Sequence, residues 1–251
     1  MSTYLLLDIG NSNIKIALSS NNRFRLVNNL VYTKEKFSDI LDMVLQTIKC
    51  HIDFAGISLT DSKLKPETKK SLKRFGISNL IFIDSLTQSP IKISYKKTLG
   101  SDRICGGVAA SYLYPERKNI LFVDFGTATT YNLITNKIFQ GGMITPGIST
   151  SLNSLIGSTA LPEVKLSVQK FLINKDTISN IKAGVYFNVL YSFERIISEL
   201  KKKYRNLFII VTGGNKKLII RNTKLINAIE SNLVLKGIAI ILEHYESLQT
   251  K

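Results

Sequence analysis

The chain has 251 residues, with 34 Lys plus Arg against 18 Asp plus Glu and a formal net charge of +16. Hydrophobic residues make up 44% and charged residues 21%, which is typical of a folded globular protein and excludes a disordered or collagen-like chain. No window reaches the roughly 18 uninterrupted apolar residues of a membrane helix, and the first residues lack the basic segment of a signal peptide. Two cysteines are too few for a disulfide framework or a structural zinc site. A cytoplasmic protein without membrane contact is therefore predicted.

The surplus of positive charge would attract anions such as nucleic acid, anionic lipid or a phosphorylated small molecule. Basic residues cluster at 63–74, 201–205 and 216–217. The first two clusters fall on segments with a helical pattern, where a solvated polar face is the simpler interpretation. Most of the surplus is Lys, and neither an aromatic-and-basic RNA motif nor a helix-turn-helix pattern occurs. Nucleic acid is therefore considered only as a secondary partner.

Apolar periodicity predicts alternating strands and helices in the first half of the chain. These elements are a strand at 4–7, a second apolar run at 14–18, an amphipathic helix at 34–50, strands at 54–59 and 80–83, and a helix from 102 to 114. Pro115 ends that last helix because proline cannot continue it.

The second half follows the same coarse order. Its predicted elements are apolar runs from 119 to 134 interrupted at 126, a third strand at 137–143, a long helix around 178–200, a strand at 207–211 and a last helix at 234–247. Strands in a hairpin series, followed by alternating helix and strand, indicate a mixed α/β sheet.

An apolar run ending in Asp-x-Gly opens each half, at Asp8 and at Asp124. The two aspartates are separated by about half the chain, which indicates an internal repeat. We therefore predict two similar halves, residues 1–116 and 117–251.

The turn from Asp8 to Lys15 is the first candidate site. Gly10 lets the backbone approach a ligand and leaves amide N–H groups for phosphate oxygens. Asn11 and Ser12 add neutral donors, and Asp8 at the end of a buried strand could hold a hydrated Mg²⁺. The alternative is a simple hairpin turn, for which the same residues are common. A second copy, with three threonine hydroxyls between 127 and 130, favours a phosphate-binding role.

The segment from Gly100 to Arg103 is the next candidate. Asp102 could cap the following helix. It could equally act as a general base that Arg103 keeps ionised, with Arg103 binding an anion. Spacing alone does not decide between these interpretations.

Glycine turns are predicted at 141–147 and 212–214, and either could form the floor of a nucleotide site. No phosphate loop of the G-x-x-x-x-G-K-[ST] type, no G-x-G-x-x-G turn and no G-x-S-x-G elbow occurs. His51 and His244 lack metal-ligand spacing with each other or with a cysteine.

Taken in order, these motifs resemble those of the type III pantothenate kinases. The order is Asp-x-Gly-Asn-Ser-x-x-Lys, Gly-x-Asp-Arg, Asp-x-Gly-Thr-Ala-x-Thr, Gly-Gly-x-Ile-x-Pro-Gly and Thr-Gly-Gly. It extends from Asp8 to about Gly237, which is almost the whole chain. The resemblance implies an α/β fold of two ribonuclease-H-like halves, the actin-like ATPase fold, with a nucleotide cleft between them.

The resemblance also implies roles for individual residues. Asp102 would be the catalytic base, and Asp124 the ligand of a monovalent cation. Asp8 would hold Mg²⁺ through water. The implied ATP-binding residues are Asp8, Ile9, Gly10, Asn11, Ser12, Asn13, Ile14, Lys15 and Thr127. The implied substrate-binding residues are Tyr95, Gly100, Ser101, Asp102, Arg103 and Thr177. A helix N-cap is the alternative for Thr177. The chain departs from the family at Asn132, where an aspartate is usual.

The implied activity is ATP-dependent phosphorylation of pantothenate to 4'-phosphopantothenate, the first step of coenzyme A biosynthesis. The implied cofactors are Mg²⁺ with ATP and a monovalent cation, K⁺ or NH₄⁺, and the implied assembly is a homodimer. Two alternatives stay open. One is a regulatory member of the family that binds ligand or nucleic acid without turnover, and the other is a kinase for another small hydroxyl substrate.

Overall fold

A computed structural model of the protein describes residues 2–20, 23–96 and 98–249. These residues form two compact units. Unit 1 comprises residues 2–114 together with 232–249, and unit 2 comprises residues 115–231. The halves expected from the sequence, 1–116 and 117–251, differ from the units at the C-terminal helix, which packs in unit 1. As a division into two repeated functional halves, that boundary stays a prediction.

The predicted helices and strands occur in the predicted order. Up to residue 114 they are β1 (Thr3–Ile9), β2 (Asn13–Ser20), β3 (Arg23–Val31), α1 (Phe37–Leu45), β4 (Phe54–Leu59), α2 (Lys65–Arg74), β5 (Leu80–Phe82), β6 (Lys92–Ile93) and α3 (Ser101–Leu113). The later ones are β7 (Asn119–Phe125), β8 (Ala128–Thr135), β9 (Ile138–Pro146), α4 (Ile148–Gly157), α5 (Thr177–Lys203), β10 (Phe208–Thr212), α6 (Lys216–Ile219), β11 (Ala228–Ile229) and α7 (Leu233–Gln249). The predicted strand at 54–59 is confirmed as β4, and the predicted long helix and last helix are confirmed as α5 and α7. The elements β3, β6, α4, α6 and β11 are additional to those predicted.

The two units share one sheet topology. In unit 1 the strand order is β3-β2-β1-β4-β5, with β2 antiparallel to both of its neighbours and β4 parallel to both of its neighbours. In unit 2 the order β9-β8-β7-β10-β11 repeats this pattern, with the same directions. The internal repeat indicated by the two Asp-x-Gly segments is therefore a repeat of sheet topology.

Alternate residues of β1 point to opposite faces of the unit 1 sheet. Leu5, Leu7 and Ile9 join a buried core with the apolar side of α1. The other face carries Leu6 and Asp8, and α7 packs against β1, β4 and α3. Burial of these apolar faces is the main stabilising contribution in a sheet covered on both sides.

A close contact between backbones holds α7 on α3. A Cβ added at Gly237 of α7 would lie 1.9 Å from the carbonyl oxygen of Cys105 on α3. Glycine is therefore required at 237 by the close approach of the two helices, and this approach keeps the C-terminal helix in unit 1.

The core of unit 2 repeats the alternation seen in β1. Leu121, Val123 and Phe125 of β7 face the buried side of α5, where the rings of Phe125 and Phe193 have centroids 5.5 Å apart. Asp124 lies between them in the strand and so points to the opposite face.

Two predictions about local structure were wrong, and one helix was missed. The helix predicted at 34–50 ends at Leu45, because Thr47 and Ile48 donate to carbonyls three residues back and the last turn tightens. The segment 141–147, predicted as a glycine turn, runs through β9, where the bulge opposite Leu133 and Ile134 gives Gly141 a φ of 135°. The helix α4 follows directly and was not predicted, since its serines and threonine are weak helix formers.

No helix in the described part of the chain combines the length and apolar character that crossing a bilayer requires.

Candidate active site

The first candidate turn connects β1 to β2. Asp8 lies directly opposite Lys15 in the antiparallel pair, and 3.6 Å separates the Lys15 Nζ from the Asp8 Oδ2. Residues 10–13 form the connecting loop, which the Gly10 N–H closes by donating to the Asn13 carbonyl at 2.9 Å. Ile9 and Ile14 point into the core and offer a ligand only their backbone. The side chains of Asn11 and Asn13 are exposed and available for ligand binding.

Tyr32, which was not predicted from the sequence, fixes this loop through hydrogen bonds to two of its carbonyl groups. Its hydroxyl donates to the Gly10 carbonyl at 2.6 Å, and its backbone N–H donates to the Ser12 carbonyl at 3.2 Å. Its ring packs on Phe37, with 5.3 Å between the ring centroids. The loop is thus fixed on the carbonyl side, and no local sequence signal marks Tyr32 for this role.

The second candidate segment begins α3. Gly100 occupies the N-cap position and Asp102 is the second helical residue, so the prediction that Asp102 caps the helix was wrong. The Asp102 Oδ1 accepts a hydrogen bond from the Arg103 backbone N–H at 2.8 Å. A Cβ added at Gly100 would lie 2.7 Å from this Oδ1. Glycine at 100 therefore makes room for the carboxylate of Asp102.

Ser101 turns its side chain away from the helix and toward β4. Its hydroxyl contacts Ser58, Leu59 N–H and Leu59 carbonyl. Ser58 was also missed by the sequence analysis; it is fully buried and lies beside Asp8 in the parallel β1–β4 pair. Any contact of Ser101 with a ligand would involve its backbone.

Arg103 and Tyr95 lie together, as the substrate-binding set requires. The guanidinium carbon of Arg103 is 5.6 Å from the centroid of the Tyr95 ring. Arg103 is buried, whereas Tyr95 is 42% exposed. A cation over an aromatic ring, next to a partly open surface, can bind an anionic group of a small molecule.

Burial dominates the electrostatics of the two acids. It raises the pKa of Asp8 to about 6; Lys15 opposes this shift and Asp102 adds to it. Burial also raises the pKa of Asp102, against the lowering effect of the Arg103 N–H and guanidinium. Arg103 does lower the pKa of Asp102, but desolvation outweighs this charge and the net shift is upward. Burial of the Cys105 thiol raises its own pKa, and the nearby charges of Asp8 and Asp102 raise it further.

The second Asp-x-Gly copy lies in unit 2. Asp124 is the penultimate residue of β7 and pairs with Thr130 on one side and Thr212 on the other. A Cβ at Gly213, whose φ is +94°, would lie 2.4 Å from the Asp124 Oδ1. Glycine at 213 thus satisfies both a left-handed turn and the close approach of the carboxylate.

The threonines of this copy do not share one role. Thr127 is exposed in the β7–β8 turn, where its carbonyl accepts from the Gly147 N–H at 3.0 Å and the Thr150 hydroxyl at 2.6 Å. Thr129 is 1% exposed and lies on the core face, so its hydroxyl is not a phosphate donor as the sequence analysis expected. The hydroxyl of Thr130 accepts from the Asn132 side-chain amide at 2.9 Å. Asn132, the departure from the family pattern, is thus a fully buried amide.

Thr177 is exposed at the first position of α5. The N-cap is Asp176, whose Oδ1 accepts from the Ser179 N–H at 2.9 Å, so the N-cap alternative for Thr177 was wrong. The threonine hydroxyl is therefore not used in capping.

No group of three or more His, Cys, Asp or Glu with metal-site geometry occurs among residues 2–20, 23–96 and 98–249. The oxygen donors nevertheless fit the implied ions. Mg²⁺ is commonly held by one or two carboxylates, water and substrate phosphates, which suits Asp8 beside the 10–13 loop. Asp124 offers a carboxylate beside the backbone of Gly126 and Gly213, and such oxygen-rich surroundings suit a hard cation.

A sheet of this order, present twice, with an aspartate at the end of the first strand of each copy, defines the actin-like ATPase fold. The sequence profile of type III pantothenate kinase matches residues 4–199. The chain is 29% identical over 245 residues to the type III pantothenate kinase of Petrotoga mobilis, covering 93% of this chain and 95% of the relative. It is 32% identical over 247 residues to that of Ehrlichia canis, covering 93% of each. The chain belongs to the type III pantothenate kinase family and is therefore a kinase.

Two solved structures are similar over nearly their whole length. A protein described as a Baf family transcriptional activator from Campylobacter jejuni is 23% identical, covers 97% of this chain and 99% of its own, and gives a TM-score of 0.61. MreB5 of Spiroplasma citri, solved bound to ADP, is 12% identical, covers 100% and 99%, and gives a TM-score of 0.60. These likenesses confirm the predicted fold class.

Proposed function

We propose that this kinase transfers the γ-phosphoryl group of ATP to the primary hydroxyl of pantothenate, giving 4'-phosphopantothenate and ADP. The reaction is the first step of coenzyme A biosynthesis. The observation that carries the proposal is the buried Asp102 carboxylate with a raised pKa, held near the Asp8–Lys15 pair at the start of α3. Family membership supports the choice of substrate.

Asp102 acts as the general base. The raised pKa of its carboxylate increases its basicity toward an alcohol proton, compared with an ordinary surface aspartate. Asp102 removes the proton of the substrate hydroxyl as that oxygen attacks the γ-phosphorus in line. Phosphoryl transfer needs positioning and charge compensation more than covalent help, so a sparse set of groups is sufficient.

Arg103 and Tyr95 orient pantothenate. The buried guanidinium binds the substrate carboxylate, and the half-exposed ring covers it. The backbone of Gly100 and Ser101 is proposed to add substrate contacts beside these two side chains. Thr177, whose side chain is exposed, is proposed as a substrate contact because the family resemblance implies it. Fixing the carboxylate at one end of the substrate brings the hydroxyl at the other end to Asp102.

The loop from Gly10 to Asn13 binds the ATP phosphates through backbone N–H groups and the exposed amides of Asn11 and Asn13. Lys15 contributes a positive charge beside Asp8, with which it forms an ion pair. Ile9 and Ile14 support the loop from the core. Thr127 is proposed as an ATP contact because the family resemblance implies it.

Asp8 would hold Mg²⁺ through water, and Asp124 would hold K⁺ or NH₄⁺. When bound, Mg²⁺ offsets negative charge on the transferring phosphoryl group. The monovalent ion can be tested without turnover: the melting temperature should rise more in KCl than in NaCl at equal ionic strength. Replacing Asp124 by Asn should abolish this difference, because the carboxylate is the charged ligand.

A homodimer is the proposed assembly. Phe171, Leu172 and Ile173 are three consecutive apolar side chains that are 70%, 57% and 89% exposed. Exposed apolar segments of this kind are typical of protein interfaces. Ile173→Lys should shift the molar mass measured by light scattering toward the monomer, whereas Val31→Lys, another exposed apolar site, should not. We place the enzyme in the cytoplasm, where ATP and reduced cysteines are both expected.

The test of the function is a substrate panel. The purified chain is incubated with ATP and Mg²⁺, with and without K⁺, and with pantothenate or other small alcohols, and the products are identified by mass. Pantothenate should give the phosphorylated product. Phosphorylation of a different alcohol, with none of pantothenate, would identify a kinase of other specificity.

A regulatory member that binds nucleic acid without turnover is the second candidate, favoured by the net charge of +16. A mobility-shift titration tests it, because neutralised phosphates give a steep fall of affinity with salt. Specific binding without any phosphorylated product would favour this candidate.

A further inference from the structure

We propose that Ser58 and Ser101 form a buried clamp that positions Asp102 for proton abstraction. The inference rests on the proposed kinase function and adds two positioning residues to it. Neither side chain is placed to contact substrate, since Ser58 is fully buried and Ser101 is 5% exposed.

The hydrogen bonds of the clamp use the Ser101 hydroxyl completely. Its oxygen lies 3.0 Å from the Ser58 Oγ, accepts from the Leu59 N–H at 2.9 Å, and can donate to the Leu59 carbonyl at 3.2 Å. A serine hydroxyl has one proton and two lone pairs. With Ser58 donating to Ser101, all three contacts form at once and no bonding capacity is left for a ligand.

The clamp connects the two acids of the site. Ser58 lies beside Asp8 in the parallel β1–β4 pair, and their side chains share one face of the sheet. Ser101 immediately precedes Asp102 on α3. The first turn of this helix therefore takes its position from the strand next to the one that carries Asp8.

The N-cap position of α3 supplies no side-chain attachment to the rest of unit 1. The N-cap residue Gly100 has no side chain with which to cap α3, and the Asp102 carboxylate bonds to the Arg103 N–H within the same turn. A serine or aspartate cap normally fixes the start of a helix. The clamp supplies the missing attachment, by bonds to a strand 43 residues earlier in the chain.

Loss of the clamp should affect turnover more than substrate binding. Ser101→Ala leaves the Leu59 N–H and the Ser58 hydroxyl without their acceptor, so the first turn can shift. A base misplaced by about 1 Å costs roughly a hundredfold in rate. Arg103, two residues after Ser101, stays packed on Tyr95. We expect kcat to fall about tenfold or more, with KM for pantothenate changed less than about twofold.

The experiment compares Ser58→Ala, Ser101→Ala and the double variant in the ADP-release assay. Both single variants should lower kcat. The kcat of the double variant should be no lower than that of the less active single variant, because the two hydroxyls act as one unit. Ser111→Ala is the matched control: it is a buried serine on the same helix whose hydroxyl has no hydrogen-bond partner among the described residues. It should keep wild-type kcat. Wild-type kcat in Ser58→Ala and Ser101→Ala, or losses that simply multiply in the double variant, would overturn the clamp.

Amide hydrogen exchange provides a readout that does not depend on activity. In Ser101→Ala the Leu59 N–H and the first amides of α3 should exchange faster, while the rest of α3 keeps its protection. Unchanged protection at Leu59 would contradict the proposal. The two proposals can fail separately. If the wild-type protein shows no kinase activity, but the clamp variants still lose protection at Leu59 and the start of α3, the kinase function is rejected and the hydrogen-bonded clamp is not.

Discussion

Asp8 and Lys15 face each other across the β1–β2 hairpin, with 3.6 Å between the Oδ2 and Nζ atoms. In unit 2 the residue opposite Asp124 is Thr130. The two copies of one hairpin thus differ in charge at the same register position. At this position the copy in unit 1 has the positively charged Lys15, which suits it to bind phosphate oxygens. The copy in unit 2 has an uncharged threonine opposite Asp124, so its carboxylate is suited to bind a metal cation.

Removing the cation should change the titration of its partner. Lys15 lowers the pKa of Asp8, which burial has raised to about 6. In Lys15→Met the pKa of Asp8 should therefore rise further, and Asp8 should become protonated nearer neutrality. We expect the acid limb of the pH profile of kcat/KM for ATP to move to higher pH. The exposed Lys69 provides the control variant Lys69→Met, and an unmoved limb in Lys15→Met would contradict the pairing.

The charged Asp8 carboxylate should lower the free energy of unfolding at neutral pH. Its pKa is raised from 3.8 to about 6 in the folded protein, so the folded state binds the proton more tightly than the unfolded state. The free energy of unfolding should then fall as pH rises from about 4 to about 6. Asp8→Asn should be more stable than wild type by about 3 kcal/mol near neutrality, and less so in acid. Denaturant titrations across this range measure it.

Asp39→Asn is the control for that experiment, because Asp39 is exposed on α1. It should leave stability within about 0.5 kcal/mol of wild type at every pH. A destabilised Asp8→Asn at neutral pH would show that the Asp8 carboxylate gains more from Lys15 than it loses by burial.

Tyr32 should matter for ATP affinity. Its hydroxyl bond to the Gly10 carbonyl fixes the 10–13 loop, and such a bond contributes about 1 kcal/mol. Tyr32→Phe should raise KM for ATP about fivefold and leave KM for pantothenate unchanged. Tyr112→Phe removes a hydroxyl from a half-exposed ring on α3 and should change neither. Equal effects of both variants would argue against a role of the Tyr32 hydroxyl in holding the loop.

Gly237 should tolerate no side chain. A Cβ there would lie 1.9 Å from the Cys105 carbonyl, so Gly237→Ala must push α7 away from α3. We expect a loss of about 3 kcal/mol in the free energy of unfolding, measured by denaturant titration. At Gly157, on α4, an added Cβ meets nothing within 4 Å. Gly157→Ala should stay within about 1 kcal/mol of wild type, and similar values for the two variants would refute the packing argument.

The site residues that could be predicted from the sequence are those marked by a local motif. Asp8 and Asp124 were found because each stands between an apolar strand and a glycine turn, and Asp102 because of its motif. Ser58 and Tyr32 were missed because their partners, Ser101 and Gly10, lie 43 and 22 residues away. A contact at that separation leaves no local periodicity.

The upward shift in the pKa of Asp102 could not be predicted from the sequence, for a related reason. Arg103 is visible next to Asp102 in the sequence, but the burial that raises the pKa of Asp102 results from packing of the whole unit. Similarly, C-terminal α7 packs in unit 1 because Gly237 and Gly56 let backbone and side chains approach closely. Neither glycine reveals its distant partner in the sequence.

The role of Asp102 is tested most directly by turnover of purified Asp102→Asn, measured as ADP release in the presence of pantothenate, ATP and Mg²⁺. The substitution keeps the shape of the side chain and removes its basicity. We expect kcat to fall by about a hundredfold or more while KM for pantothenate changes little. Turnover close to that of the wild type would show that Asp102 is not the base and would contradict the mechanism.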